Sequence, residues 1–162
     1  MRKMILLLLA ASFSIGAGAQ VRSLGVSVGP YEAVSFQHIV YGTDNVFQLD
    51  LGYFNGLPKA GSVRLMGSCN ITIASPEWTE EGEWNFYAGP GAYLGAGWAP
   101  GKGLTFGIMA VAGLEYLFDS LPLQLSADIR PMIGTVLTND DFIFDRDCLL
   151  GFVPTVSARY LF

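Results

Sequence analysis

The chain has 162 residues, one domain's worth, of which 51% are apolar and only 14% charged. Globular chains carry about 25% charged residues, so disorder is excluded. The formal charge of −5 argues against a nucleic-acid partner, because phosphate binding needs clustered Lys and Arg. Two Cys and one His argue against a disulfide scaffold and a His/Cys zinc site, and no metal or cofactor is expected.

The N-terminus reads as a targeting segment. Arg2 and Lys3 give a positive start, Met4 to Ala11 is apolar, and Phe13 and Ile15 extend the run. Ala17-Gly18-Ala19 supplies small residues at the positions a signal peptidase reads. A secretory signal over 1–19, cut after Ala19, and Sec-dependent export are therefore expected. The run is shorter than the ~20 residues of a spanning helix, and no Cys follows it for a lipid anchor. The remainder, 20–162, loses two positive charges and no negative ones. It stays apolar, which is unusual for an exported protein that faces water.

No later segment suits a membrane helix. The run from Trp84 to Gly101 is uncharged but contains Gly89, Gly91, Gly95, Gly97, Pro90 and Pro100, and Gly103 to Leu114 is short and stops at Glu115. Alternation with period 2 predicts strands instead, near 22–29, 31–39, 45–53, 61–73, 83–97, 103–118, 121–137 and 149–162. In 103–118 one face is Leu104, Phe106, Ile108, Ala110, Ala112 and Leu114, and the other is smaller or more polar. In 121–133, Leu121, Leu123, Leu125, Ala127 and Ile129 alternate with Gln124, Ser126, Asp128 and Arg130. The last stretch repeats the scheme, with Phe152, Val156, Ala158, Tyr160 and Phe162 alternating with Thr155, Ser157 and Arg159.

Several of these runs exceed the ~5–6 residues of a soluble strand and match the ~9–11 of a tilted membrane strand. Only a helix or a closed sheet satisfies its backbone in hydrocarbon. The expected fold is all-β, an eight-stranded antiparallel up-and-down transmembrane β-barrel over 20–162, with both termini periplasmic. Asp119-Ser120 then falls in a short periplasmic turn and Thr138 to Cys148 in an outer loop. The acidic 74–82 segment is long for a periplasmic turn, and the outer turn at Pro30 is short. Trp84 and Trp98, fourteen residues apart on the fifth strand, would span roughly 33–36 Å and bracket an apolar band of ~25 Å.

The C-terminal Tyr160-Leu161-Phe162, with apolar residues alternating before it, resembles the signal by which bacterial outer-membrane barrels are recognised for assembly; Tyr160 and Phe162 carry it. The stretches Asn85-Phe86-Tyr87-Ala88-Gly89-Pro90-Gly91, Gly113-Leu114-Glu115-Tyr116 and Leu121 to Pro131 resemble small single-domain barrels of Bacteroidota outer membranes. The resemblance implies an OmpA/OmpX-like barrel and no enzymatic activity. It also implies a place in the outer membrane of a Gram-negative bacterium. The partners it implies are outer-membrane lipid, lipopolysaccharide and, during biogenesis, the barrel assembly machinery; the expected state is a monomer.

Alternation sets Asp50, Arg64, Glu115, Asp128, Arg130 and Arg159 opposite the oily faces. A Lys or Arg facing lipid at mid-membrane costs ~2–4 kcal/mol, so these six should form a packed, charge-balanced network in the lumen of so narrow a barrel. Gly89, Gly91, Gly95 and Gly97 share the inward parity and make room for Arg side chains, Tyr87 and Tyr93. Two other readings remain. A soluble lipocalin-like barrel would put its oily face inward around an apolar ligand. An interfacial lipid-modifying enzyme would need a His beside a Ser or acid, and His38 has only Ser35 nearby, at opposite parity. Cys69 and Cys148 lie on well-separated strands and are expected as free thiols. The loop Asn139 to Asp147 is expected to be solvated, with an unmatched calcium spacing.

Overall fold

The computed structural model describes residues 22–39, 43, 45–56, 60–97, 103–138 and 142–162, without the side chains of 55, 56, 60 and 146–148. The signal segment 1–19, Trp98, Asn139 to Asp141 and the Cys148 side chain lie outside the described residues. The chain forms β1 Arg22–Val28, β2 Tyr31–Ile39, β3 Asn45–Gly56, β4 Ala60–Ala74 and β5 Glu83–Gly97. These are followed by β6 Gly103–Leu117, β7 Leu123–Ile129, β8 Met132–Leu137, β9 Phe142–Phe144 and β10 Thr155–Leu161. A 3-10 helix, Arg146–Phe152, joins β9 to β10.

Every pairing is antiparallel, and each strand from β1 to β6 pairs with the next in sequence. The ring closes through β6–β7, β7–β10 and β10–β1. β7 and β8 lie end to end along β6 without loss of register, from Ala112↔Ile129 to Met109↔Met132. They count as one stave, so the fold is a closed eight-stranded all-antiparallel barrel.

Two expected strands differ in detail. The seventh, 121–137, is interrupted at Arg130-Pro131, because proline has no N–H for the ladder. Its stave still holds to β6 through Ala110 N donating to Pro131 O at 3.0 Å. The eighth, 149–162, begins only at Thr155. The chain before it coils as the 3-10 helix, whose Gly151 carbonyl accepts from Arg130 N at 2.7 Å, where a ladder partner would stand. A Cβ at Gly151 would overlap the Arg130 carbonyl, so glycine permits this approach. β9 adds a short hairpin on β8.

Alternation sorts the side chains inside out. Among the described residues, 21 polar or charged side chains are buried against nine apolar ones. The outward positions of β6 from Leu104 to Ala112 are exposed, with Ile108 at 67%, while Thr105, Met109, Val111 and Glu115 point in and are buried. The same holds along β2, where Tyr31, Ala33, Ser35 and Gln37 are buried and Glu32 and Val34 are exposed. Around the β4–β5 turn, Trp78, Trp84, Phe86, Tyr116 and Phe118 form a contiguous aromatic band with ring centroids 4.7–5.6 Å apart. The turn is pinned: Gly82 N donates to Asp119 Oδ2 at 2.7 Å, Tyr116 Oη donates to the Glu81 carbonyl at 3.0 Å, and Trp84 Nε1 donates to Thr79 Oγ1 at 3.1 Å.

Glycines on β6 and β8 face the interior tyrosines of β5. Tyr87 stands opposite Gly113 and Tyr93 opposite Gly107. A Cβ at Gly113 would lie 2.6 Å from Asp128 Cβ and 2.8 Å from Tyr87 Oη. Gly113→Val therefore should destabilise the folded barrel by roughly 1–3 kcal/mol through overpacking. It should be seen as a lower temperature for loss of the compact, unboiled gel band, while Ala112→Val on the outward face should leave that temperature unchanged.

Candidate functional site

Among the described residues, oppositely charged side chains gather in the interior. Arg130, at the β7–β8 junction, reaches across to β3, four staves away on the opposite wall. Its Nη1 donates to Asp50 Oδ2 at 2.6 Å, its Nε to Asp128 Oδ1 at 2.6 Å and its Nη2 to Asp128 Oδ2 at 3.2 Å. All three residues are buried, Arg130 at 1% exposure. The carboxylates have further donors: Gln48 Nε2 to Asp50 Oδ2 at 2.8 Å, and Tyr87 Oη to Asp128 Oδ2 at 2.9 Å. Short charge-assisted bonds of this kind are the strong ones in proteins.

A second strut lies nearer the outer loop. Arg64 on β4 meets Asp145, with Nη1 3.1 Å from Oδ2 and Nη2 donating to Oδ1 at 3.3 Å. Tyr93 Oη and Thr105 Oγ1 also donate to Asp145 Oδ2, at 2.9 and 2.8 Å. The two struts are joined by rings. Arg64 lies 4.3 Å from the Phe54 centroid, Phe54 stacks on Tyr31 at 4.5 Å, and Arg130 is 5.7 Å from the Tyr31 centroid. Met66, Met109 and Met132 are buried alongside.

The other two expected residues stand apart from these struts. Arg159 is held by hydroxyls, its Nε donating to Ser35 Oγ at 2.9 Å and its Nη1 to Ser126 Oγ at 2.8 Å. Glu115 accepts from Gln124 Nε2 and, at 3.4 Å, from Asn85 Nδ2. Near the chain ends, Ile39, Val46, Leu117 and Leu161 line a small cavity with Gln37 and Glu115. Of the six expected residues, then, Asp50, Asp128 and Arg130 come together, Arg64 pairs elsewhere, and Arg159 and Glu115 hydrogen-bond to neutral groups while lying close enough to interact as opposite charges.

Asp145 corrects the expected solvated loop 139–147. It is 2% exposed, and its N–H donates to the Gly134 carbonyl at 3.0 Å, extending the β8–β9 register by one residue. Gly134 has the inward parity of Met132, so the residue paired with it points inward too. A parity rule applied to 142–145 would have found it; a segment read as loop has no parity. The neighbouring β9 residues are exposed, Phe142 at 72%. The glycine expectation divides. A Cβ at Gly95 would sit 2.7 Å from Arg64 Cγ, whereas at Gly89 it would collide with the backbone of β4.

Among the described residues, the candidate catalytic side chains His38 and Ser35 lie on opposite faces of β2. Ser35 is fully buried inside and bonded to Arg159, while His38 lies on the outer face. Cys69 is a free thiol. Among the described residues no group of three His, Cys, Asp or Glu side chains could hold a metal ion. None of the described helices is long and apolar enough to cross a membrane, which leaves membrane strands untouched.

No family model and no curated protein matches the chain. Among solved structures it is similar to the N-terminal β-barrel domain of Pseudomonas aeruginosa OprF, with a TM-score of 0.49 and 11% identity over 88% of this chain and 96% of that one. A likeness at this level carries no functional information.

Removing one partner from a buried ion pair costs ~3–5 kcal/mol, because the other charge stays buried. Arg130→Met should therefore lower the unfolding midpoint in detergent sharply, and adding Asp50→Asn and Asp128→Asn should recover part of the loss. Asp145→Ala should leave the barrel folded but expose 138–154 to limited proteolysis; Arg64→Met should do the same, and the double variant should show coupling rather than additivity.

Proposed function

We propose that this chain is an integral outer-membrane β-barrel protein with a packed polar interior, without enzymatic activity, serving a structural or surface-contact role. The observation that carries this reading is the inverted burial: charged struts inside, and a continuous coat of large apolar side chains outside. Water-soluble monomers rarely expose contiguous apolar patches beyond a few hundred Å². Here Val26, Val34, Leu49, Leu51, Leu65, Leu94 and Ile108 are all exposed around the wall. Hydrocarbon is the solvent that suits such a coat, and closure of the sheet leaves no open backbone edge across most of it.

In this reading the end of the barrel bearing Arg22 and Phe162 faces the periplasm, and Sec export precedes insertion. Tyr160 and Phe162 serve as the signal for the barrel assembly machinery, and both lie exposed on the outer face of the last strand. The surroundings are outer-membrane lipid and lipopolysaccharide, the state is monomeric, and the type is that of the small Bacteroidota barrels. The lipocalin-like alternative needs the oily face inside, opposite to the burial seen. The lipid-modifying alternative needs His38 beside Ser35, which the wall separates.

The test is direct. The chain should fractionate with outer membranes, resist alkaline extraction, and shift its gel mobility on boiling. Monomeric protein in a surfactant-free aqueous extract would overturn the reading, and altered lipid A in a mass-spectrometric comparison with and without the protein would overturn the non-enzymatic part.

A further inference from the structure

The sheet has a loose side at β9. In the strand order β9 stands last, paired with β8 and, among the described residues, with no strand beyond it. The Asp145 N–H donates to the Gly134 carbonyl, so these two residues form a bonded pair of the antiparallel ladder. Bonded and unbonded pairs alternate along such a ladder. Ile143 therefore turns its main-chain groups toward Val136, while Phe142 and Phe144 turn theirs away from β8. The strand lies at the end of the barrel opposite Arg22 and Phe162, where β8 pairs with Leu104 to Phe106 at the start of β6. The 3-10 helix that follows meets its stave lower down, where Gly151 approaches Arg130.

Natural sheets protect such an edge with charged side chains, proline or a bulge. β9 carries none of these. Its residues are Phe142, Ile143 and Phe144, exposed at 72%, 47% and 57%. Neither solvent suits it alone. In hydrocarbon the main-chain groups of Phe142 and Phe144 would go unpaired, and in water three large apolar side chains would stand bare. An added strand meets both demands, because it supplies main-chain partners and covers side chains on both faces.

We infer that β9 is a docking edge for an extended segment of a partner protein outside the cell, apolar in its middle and basic at its ends, which joins the sheet antiparallel to β9. This deepens the surface-contact role proposed above and rests on that reading. Charge sets the ends of the partner: in sequence β9 is bracketed by Asp140-Asp141 and by Asp147, against Arg146 alone. Charge and symmetry also oppose a second copy of this chain as the occupant. Two copies in one membrane point the same way, so their β9 strands would run parallel, the weaker pairing, and would bring like carboxylates together.

The experiment uses the full chain folded in detergent. The probe is a seven-residue peptide of alternating valine and threonine with a lysine at each end, titrated by calorimetry. One peptide should bind per barrel. The same peptide with every amide between the lysines methylated should bind the unaltered barrel about tenfold more weakly or worse, the scale of lost main-chain bonds. A peptide with glutamate ends should also bind more weakly. Phe144→Pro removes an N–H that β8 does not use and should weaken binding like the methylated peptide, whereas Phe142→Val keeps every main-chain group and should lose far less. The boiling shift is recorded for each variant, and the methylated peptide needs no variant, so the test survives a misfolded Phe144→Pro chain. No binding, equal binding of the plain and methylated peptides, equal binding of the lysine- and glutamate-ended peptides, or a peptide-free dimer that Phe144→Pro abolishes overturns the docking edge while a boiling shift upholds the barrel. A chain that shows neither shift nor insertion overturns both.

Discussion

The Arg130 guanidinium, clamped between Asp50 and Asp128 in the middle of the barrel, is the interaction on which the interior depends. A single arginine from the β7–β8 junction crosses the lumen and ties two opposite staves at 2.6 Å contacts. Its charge could not remain there unpaired, since desolvation of an isolated ion costs many kcal/mol. Everything around it follows as compensation: Gln48 and Tyr87 supply the carboxylates with further donors, and Tyr31 covers the guanidinium with its ring. The column continues through Phe54 to Arg64 and Asp145, so two charge clusters share one aromatic spacer.

This interior replaces the oily core of a soluble domain. In the hydrocarbon proposed for this outer coat, a barrel gains nothing from hiding more apolar surface, so shape and polar satisfaction decide the inside. Serine, glutamine and asparagine side chains fill the space between the struts, as in Ser27 with Ser157 and Gln37 with Gln48. Glycines opposite Tyr87 and Tyr93 leave the rings room to lie along the wall. A phenol set against glycine is both a space filler and a donor, and here each phenol ends on a buried aspartate.

The wall is uneven in height, and the unevenness has a cause. β1 and β10 have seven residues each, while β4, β5 and β6 have 15 each. The tight Gly29-Pro30 connection stops the first hairpin early, and the 3-10 helix occupies the space that a longer β10 would fill. Just before it, the β8–β9 register carries Asp145 into the lumen, and the helix brings Gly151 against Arg130. The same stretch of chain that shortens the last stave thus completes the charge network.

The sequence by itself determined the class of the fold. Period-2 alternation in runs of this length specifies a closed antiparallel barrel with one oily and one polar face, and parity alone sets Asp50, Arg64, Glu115, Asp128, Arg130 and Arg159 opposite the oily face, because side chains along a strand must alternate. Strand ends near 22–39 and 83–118 were legible from Gly29-Pro30 and from the glycine-rich or acidic breaks. Tertiary structure alone decided the partners. Parity says that Arg64 points inward, but not that its carboxylate comes from Asp145, 81 positions away. It says nothing of the break at Pro131, where the alternation runs on while the missing N–H ends the ladder. Nor does it foresee that Arg159 is held by hydroxyls. Which groups meet across a lumen depends on stagger between opposite staves, a property of the closed ring that no single strand carries.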